Sequence, residues 1–376
     1  MNPIEMVDLK SQFAEIKSEV MAGIERVCTQ TTFINGSDVK DFAENLQHYT
    51  KSKYVIPCAN GTDALQIALM SLGLIPSDEV IVPTWTYVAT AEVIALLGLR
   101  PIFIDADPIS FNIDITQIES SITPKTKAIV PVHLYGQCCD MEAIMEIAKK
   151  HNLFVVEDTA QAIGAEYTFK SGLKSQAGTI GHVGTTSFFP SKNLGCYGDG
   201  GAIMTNDETL AKKMKAICDH GQTDQKYYHN IVGVNSRLDS IQAVVLNAKL
   251  KHLKRYEASR NEVAQRYSAA FEEVKHIISP AISSWSTHVF HQYTVRITNG
   301  KRNALKEYLM SKNIPSMIYY PLPLHHQKAY HAYLKGTESL QVSEQLATEV
   351  ISLPIHTEMK SEQQEFIIEA VKEFMI

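Results

Sequence analysis

No stretch of this chain stays apolar for long, no run of lysine and arginine forms a stripe, and no two cysteines stand at a CxxC spacing. Each absence removes a class of function. The most apolar segment, VATAEVIALLGL (88–99), is broken by Glu92 and falls short of the roughly 20 residues that cross a bilayer. The opening MNPIEMVDLKSQF carries Glu5, Asp8 and Lys10 and leads into no apolar signal region, so a cytoplasmic protein with no membrane partner is expected. The formal net charge of -6, with no basic patch in the sequence, argues against nucleic acid as a main partner. A single anionic ligand stays compatible, because it needs only local positive charge. The cysteines at 28, 58, 138, 139, 196 and 218 read as reduced cytosolic thiols, and the adjacent pair 138–139 suits neither a metal site nor a simple staple. There is no HExxH and no zinc-like spacing, so no metal is expected, and His325–His326 reads as a solvated or substrate-side pair. The lack of GxSxG and of an evident Cys/His dyad disfavours serine and cysteine hydrolysis. There is no P-loop.

What is present is a chain of 376 residues, 45% of them hydrophobic, enough for two domains of roughly 100–200 residues each. Short β-branched runs alternate with helical patterns. The runs are YVIP (54–57), EVIVP (79–83), RPIFIDAD (100–107), KAIVPVHL (127–134), LFVVED (153–158), TTSFF (185–189) and GAIMT (201–205). Several lack polar alternation, as strands covered on both faces do. Between them, Ala64, Leu65, Ala68, Leu69 and Leu72 share one helical face. Repeated βαβ units imply an α/β fold with a mainly parallel, doubly wound sheet. Beyond residue 235 the pattern changes. Residues 239–267 read as one long helix, HQYTVRI (291–297) as a strand, 301–312 as a helix, and a last helix opens at Ser361 with Gln364 completing a capping box. The spacing divides the chain into a large domain over 1–250 and a smaller C-terminal α+β domain over 251–376.

Ligands of open parallel sheets sit beyond the carboxyl ends of the strands, so the polar residues there are the candidates. In CANGTDALQIAL (58–69) a strand ends, Gly61 permits close backbone approach and Thr62 opens a helix, which makes either a phosphate site or a plain cap. Asp158 ends LFVVED and either holds a protonated ring nitrogen or caps the next helix; Asp105 ends another strand and is its rival. Gln161 follows one short turn later. Lys192, in SFFPSKNLGCYGDGG (187–201), lies just past an apolar strand, where burial would ease loss of its proton. The bland alternative is a surface lysine in a loop. Ser187 offers a further hydroxyl, and Trp85 or Tyr87 could stack on a flat ring.

Taken in order, VDLKSQ (7–12), FINGSDVKDFAE (33–44), ANGTDAL, TYVATAE, PVHLYGQ (131–137), VEDTAQ, SFFPSKNLGCYGDGGA, HGQ (220–222), GVNSRLD (233–239) and YYPLPLHHQ (319–327) resemble the DegT/StrS sugar aminotransferases over nearly the whole chain. The resemblance implies a fold-type-I pyridoxal 5'-phosphate (PLP) transferase. It implies Lys192 as the lysine that carries the cofactor and moves the proton, Asp158 as partner of the ring nitrogen and Gln161 as ligand of the ring oxygen. Gly61, Thr62 and Ser187 are implied at the phosphate and Tyr87, in preference to Trp85, on the ring. Asn235 is implied to reach the phosphate of a neighbouring subunit in an obligate homodimer, and Arg237, Tyr319 and Tyr320 to line the sugar side. The implied substrates are an amino-acid donor, by family habit glutamate, and a nucleotide-linked keto sugar. The best-matching subgroup acts on UDP-3-oxo-N-acetylglucosaminuronate for surface polysaccharide and lipopolysaccharide; a 4-keto-6-deoxy nucleotide sugar is the second expectation. Arg237 is suited to a uronate carboxylate, because its fork pairs in two places. Tyr319 stands where that subgroup has His, and Asp219 precedes His220 where Arg is common. Dehydratase relatives carry His in place of the lysine, so Lys192 favours amino transfer; a non-catalytic sensor with the same fold is the remaining alternative.

Overall fold

The computed structural model describes residues 3–223, 225, 227–334 and 340–376. Strands β1 (Tyr54–Cys58), β2 (Glu79–Pro83), β3 (Arg100–Ile104), β4 (Thr126–Ile129) and β5 (Phe154–Asp158) follow the apolar runs of the sequence. A hairpin of β6 (Glu166–Thr168) and β7 (Lys174–Gln176) stands apart, and the main sheet resumes with β8 (Val183–Ser187) and β9 (Gly201–Thr205). The seven-stranded sheet has the order β1-β9-β8-β5-β4-β2-β3. Strands β8, β5, β4, β2 and β3 pair in parallel; β9 alone runs against its neighbours β8 and β1. The sheet is therefore mainly parallel, as expected.

Alternate side chains of the central strands enter opposite cores. Val80, Val82, Ala128 and Val156 pack with the helices Gly61–Ser71, Ala89–Leu96 and Glu208–Cys218. Ile81, Ile104, Ile129 and Val155 pack with the helix Met141–His151 on the other face. Both faces being covered is why these runs show no polar alternation.

A second, antiparallel sheet follows in the order β10 (Ile277–Ile278), β11 (Tyr293–Ile297), β12 (Val350–Leu353). The helices Leu253–Phe271, Arg302–Ser311 and Ser361–Met375 share its core. Ile4 joins that core, and Ile355 N donates to Met6 O at 3.3 Å. The start of the chain is thus tied to its end.

Three local expectations are corrected. The stretch 239–267 is two helices, Ser240–Leu250 and Leu253–Phe271, parted where His252 N donates to Lys249 O at 2.9 Å. Leu250 and Leu253 both enter one core, and the tightened turn brings them there. The last helix opens at Ser361, but Gln363 rather than Gln364 closes its first turn, accepting from Lys360 N at 3.2 Å. Gln364 instead donates to Val263 O at 2.7 Å. The helix after β1 starts at Gly61, one residue before Thr62, with Asn60 as its cap.

Candidate active site

The carboxyl ends of β1, β5 and β8 come together because β5 pairs with β8, setting Asp158 opposite Thr185, and β8 runs two residues further to Ser187. Beside it, the cap at Asn60 takes the N–H of Asp63 at 2.8 Å. That leaves the N–H groups of Gly61 and Thr62 without an intrahelical acceptor. Gly61 is pressed against β8: a Cβ there would stand 2.6 Å from Ser187 Cβ and 3.1 Å from Ser187 Oγ. Two free N–H groups and one hydroxyl therefore face a common space at a helix start, the arrangement that favours a phosphate.

Asp158 is buried, with 6% exposure. Its Oδ2 accepts from Thr90 Oγ1 at 2.9 Å and its Oδ1 from Ala160 N at 3.1 Å. Burial pushes the carboxyl pKa up, while these hydrogen bonds and the charge of Lys192 work against the rise. Solvent reaches only part of Lys192. Burial pulls its amine down to about 8, and the charge of Asp158 acts in the opposite direction. A neutral ring lies close by: burial holds His291 well below the usual imidazole range, and the Lys192 charge adds to that. The backbone of Lys192 is fixed by its N–H to Phe189 O at 2.8 Å, and Asn193 Nδ2 donates to Val289 O at 2.9 Å.

Gln161 is held at both ends. Its Oε1 accepts from Tyr135 N at 2.8 Å, and its Nε2 donates to the Tyr320 hydroxyl at 3.1 Å. Tyr135 donates in turn to Tyr319 O. Tyr87 is 59% exposed and its ring centroid lies 6.4 Å from that of Tyr320. Trp85 is 1% exposed and belongs to a core with Phe111 and Tyr135. The structure therefore gathers Asp158, Gln161, Lys192, Ser187, Gly61, Thr62, Tyr87, Tyr319 and Tyr320 around one region.

Asn235 and Arg237 behave differently. Asn235 is exposed and pairs in a bridge with Asp219; Arg237 Nη1 lies 3.4 Å from Asp219 Oδ1. Between them, Ser236 Oγ accepts from Ala59 N at 3.1 Å, which seats the segment next to the end of β1.

The sequence model of the DegT/DnrJ/EryC1/StrS aminotransferase family matches residues 14–372. The chain belongs to this family. It is 45% identical to a pleiotropic regulatory protein of Geobacillus stearothermophilus, over 99% of this chain and 98% of that one. It is 46% identical to the UDP-2-acetamido-2-deoxy-3-oxo-D-glucuronate aminotransferase of Pseudomonas aeruginosa, over 94% and 95%. A UDP-N-acetyl-3-dehydro-alpha-D-glucosamine 3-aminotransferase of Acidithiobacillus ferrooxidans is 41% identical over 96% and 95%. Among solved structures, a DegT/DnrJ/EryC1/StrS aminotransferase from Brucella abortus superposes with a TM-score of 0.94 at 40% identity, covering 99% of each chain. A Bacillus subtilis protein with bound cofactor PMP superposes at 0.89, with 32% identity, over 96% of this chain and 82% of that one.

In this aminotransferase, several residues that hold the site were not singled out from the sequence. Thr90 lies in TYVATAE and Tyr135 in PVHLYGQ, inside runs that carry the resemblance, but neither residue type points by itself to a role there. His291, distant in sequence from Lys192, had no signal.

Proposed function

We propose that this chain moves an amino group from an amino acid, with glutamate as the donor, onto a nucleotide-linked keto sugar, using PLP bound at Lys192. The observation that carries the reading is the buried neighbourhood of Lys192 and Asp158 beyond the parallel strands. Asp158 has Lys192 as a cationic neighbour. Once that amine is engaged as a neutral group, the buried carboxylate needs another positive charge, and the protonated ring nitrogen of PLP supplies one. The cradle of Gly61, Thr62 and Ser187 fits the phosphate. The residues present therefore fit this cofactor.

When bound, PLP supplies an aldehyde that takes up amines reversibly and a ring that holds the electron pair released at the reacting carbon. The chain supplies the rest. Lys192 would hold the cofactor between turnovers. Its amine, once free, would take the proton from the amino acid's α-carbon as general base and give it back as general acid. Asp158 would hold the ring nitrogen in its charged form, Gln161 the ring oxygen and Tyr87 a ring face, and Tyr319, Tyr320 and Arg237 would line the sugar side. The same groups would serve the sugar half-reaction with the proton moves reversed. Asn235 is read as reaching the phosphate of a neighbouring copy, which makes the assembly a homodimer.

Borohydride reduction of the holoprotein, digestion and mass analysis test the assignment: the tag is expected on Lys192, and its absence there rejects the reading. In a separate sample of unreduced holoprotein, glutamate should convert the visible cofactor band. Ammonia release without an amino donor would instead mark a dehydratase, and no spectral change a non-catalytic sensor.

For the sugar, the reading is UDP-3-oxo-N-acetylglucosaminuronate, supported by likeness to the Pseudomonas relative, with cell-surface polysaccharide as its destination. One observation favours a second reading. Asp219 already engages Arg237, which leaves that guanidinium less free for a uronate carboxylate and suits an uncharged keto sugar, such as a 4-keto-6-deoxy nucleotide sugar. Product assays with a panel of UDP- and dTDP-linked keto sugars separate the two.

A further inference from the structure

Adjacent histidines in YYPLPLHHQ gave no metal signal, because the third group lies in a different element. His325 and His326 close the short turn Leu324–His326, and Glu344 projects from the helix Gln341–Glu349. The fold sets Glu344 Oε1 3.2 Å from Nε2 of His325 and 3.2 Å from Nε2 of His326. One donor atom from each of the three lies within 4.8 Å of the others. We propose that His325, His326 and Glu344 bind a divalent transition cation of the zinc class.

The spacing is the first argument. Donors held about 2.0–2.1 Å from a tetrahedral zinc ion stand about 3.3 Å apart, close to both nitrogen–oxygen separations. The second is orientation. The Thr84 hydroxyl lies 2.8 Å from His325 Nδ1, and Thr84 also takes the backbone N–H groups of Leu324, on its carbonyl at 2.9 Å, and of His325, on its hydroxyl at 3.1 Å. A histidine that gives its Nδ1 proton to such an oxygen turns an unprotonated Nε2 toward a metal. Two imidazoles and one carboxylate suit zinc, nickel or copper rather than magnesium or calcium. The His325 side chain is 4% exposed, against 47% for His326 and 41% for Glu344, so the outer side of the site stays open to water or another ligand.

A bound cation would join three parts of the sugar side. Thr84 opens the segment of Trp85 and Tyr87, the histidines follow Tyr319 and Tyr320, and Glu344 belongs to the helix whose start is held by Asp105.

Tag-free holoprotein, stripped with a chelator, is titrated with Co2+ and then Zn2+. The expected result is one equivalent of Co2+ per chain, with strong visible bands of tetrahedral type that Zn2+ removes. His326→Ala and Glu344→Gln, both at solvent-reached positions, should weaken binding on the order of a hundredfold, and Thr84→Val by about 10–100-fold through the ring it orients. No saturable binding in the parent overturns the proposal. So does binding that persists unchanged in His326→Ala, which would place the ion elsewhere. None of these readings depends on turnover.

Discussion

His133 Nε2 donates to Glu157 Oε2 across 2.9 Å, and neither side chain is reached by solvent. The direction is fixed by the other nitrogen: Nδ1 accepts from Cys139 N at 3.1 Å, so the ring proton sits on Nε2. Glu157 also accepts from the N–H groups of Gly178, Ile180 and Gly181 at 2.9, 2.7 and 2.6 Å. Glu157 precedes Asp158 on β5, and successive side chains of a strand point to opposite faces. Asp158 turns to the site while Glu157 anchors the strand from behind. The backbone of His133 adds a bond to Asp158 O at 3.0 Å.

Replacing His133 by Ala leaves a buried carboxylate short of one donor and strands the Cys139 N–H. Taking one donor from a buried carboxylate that keeps its others, and leaving a buried N–H unpaired, typically costs about 1–3 kcal/mol. Urea unfolding of His133→Ala should show a loss of that order. Cofactor affinity should fall with it, because Asp158 loses its support. A variant as stable as the parent would remove the pair from this role.

Lys192 gives a pH dependence with a definite sign. Burial lowers its folded-state pKa to about 8, below the unfolded value of about 10.4. Between these values the unfolded chain binds more protons, so apo-protein stability rises with pH there. Lys192→Met removes the penalty. The variant should be more stable than the parent at pH 7, by a margin that is constant below about pH 8 and closes toward about pH 10.4. Urea titrations of both apo proteins at pH 7 and pH 10 check this; equal margins at the two pH values would contradict it. In the parent, capture of added cofactor should speed up with pH and level off above about 8, as the free amine becomes the major form.

The strands of the main sheet were legible because most are apolar runs bounded by turns, and burial on both faces needs nothing more; the short strands β6, β7, β10 and β12 carry too few residues, or too polar a run, to stand out. The break at Lys251–His252 was not, since it follows from where Leu250 and Leu253 find their shared core. Asp158 and Asp105 look equivalent in sequence, each closing a strand. Space separates them. Asp105 accepts from Val342 N at 2.9 Å and Ser343 N at 2.8 Å, at the start of a helix far along the chain, and so serves as its cap. Asp158 instead faces Thr90 and Lys192. Through-space partners such as Thr90, His133 and His291 leave no periodicity behind, so the sequence alone does not reveal them.

Gly61 is where a single methyl group should separate cofactor binding from folding class. Its added Cβ would fall 2.6 Å from Ser187 Cβ, so the helix start or β8 must move. Overpacking of this kind costs about 1–3 kcal/mol. Gly61→Ala should keep the parent's secondary structure by circular dichroism, yet release PLP roughly tenfold or more readily in equilibrium dialysis. Unchanged affinity would take the phosphate away from this cradle.

Asp219 is expected to set the charge preference for the sugar. Its Oδ1 lies 3.4 Å from Arg237 Nη1, and its Oδ2 accepts from Gln222 Nε2 at 3.3 Å. Arg237 is one of two charged partners here, and both are partly exposed, so the pair itself adds little stability. Its effect is on availability: a guanidinium facing a carboxylate of its own chain pairs less well with one on a ligand. Asp219→Asn keeps the size and removes the competing charge. The ratio of kcat/KM for the uronate to that for an uncharged keto sugar should then rise, on the order of tenfold or about 1.4 kcal/mol. The change should lie mainly in KM, because the carboxylate is remote from the reacting carbon and is bound alike in ground and transition states. The comparison works whichever sugar the parent prefers. A ratio that stays fixed would mean that Arg237 does not meet the sugar's carboxylate, and that the Asp219 departure has no part in specificity.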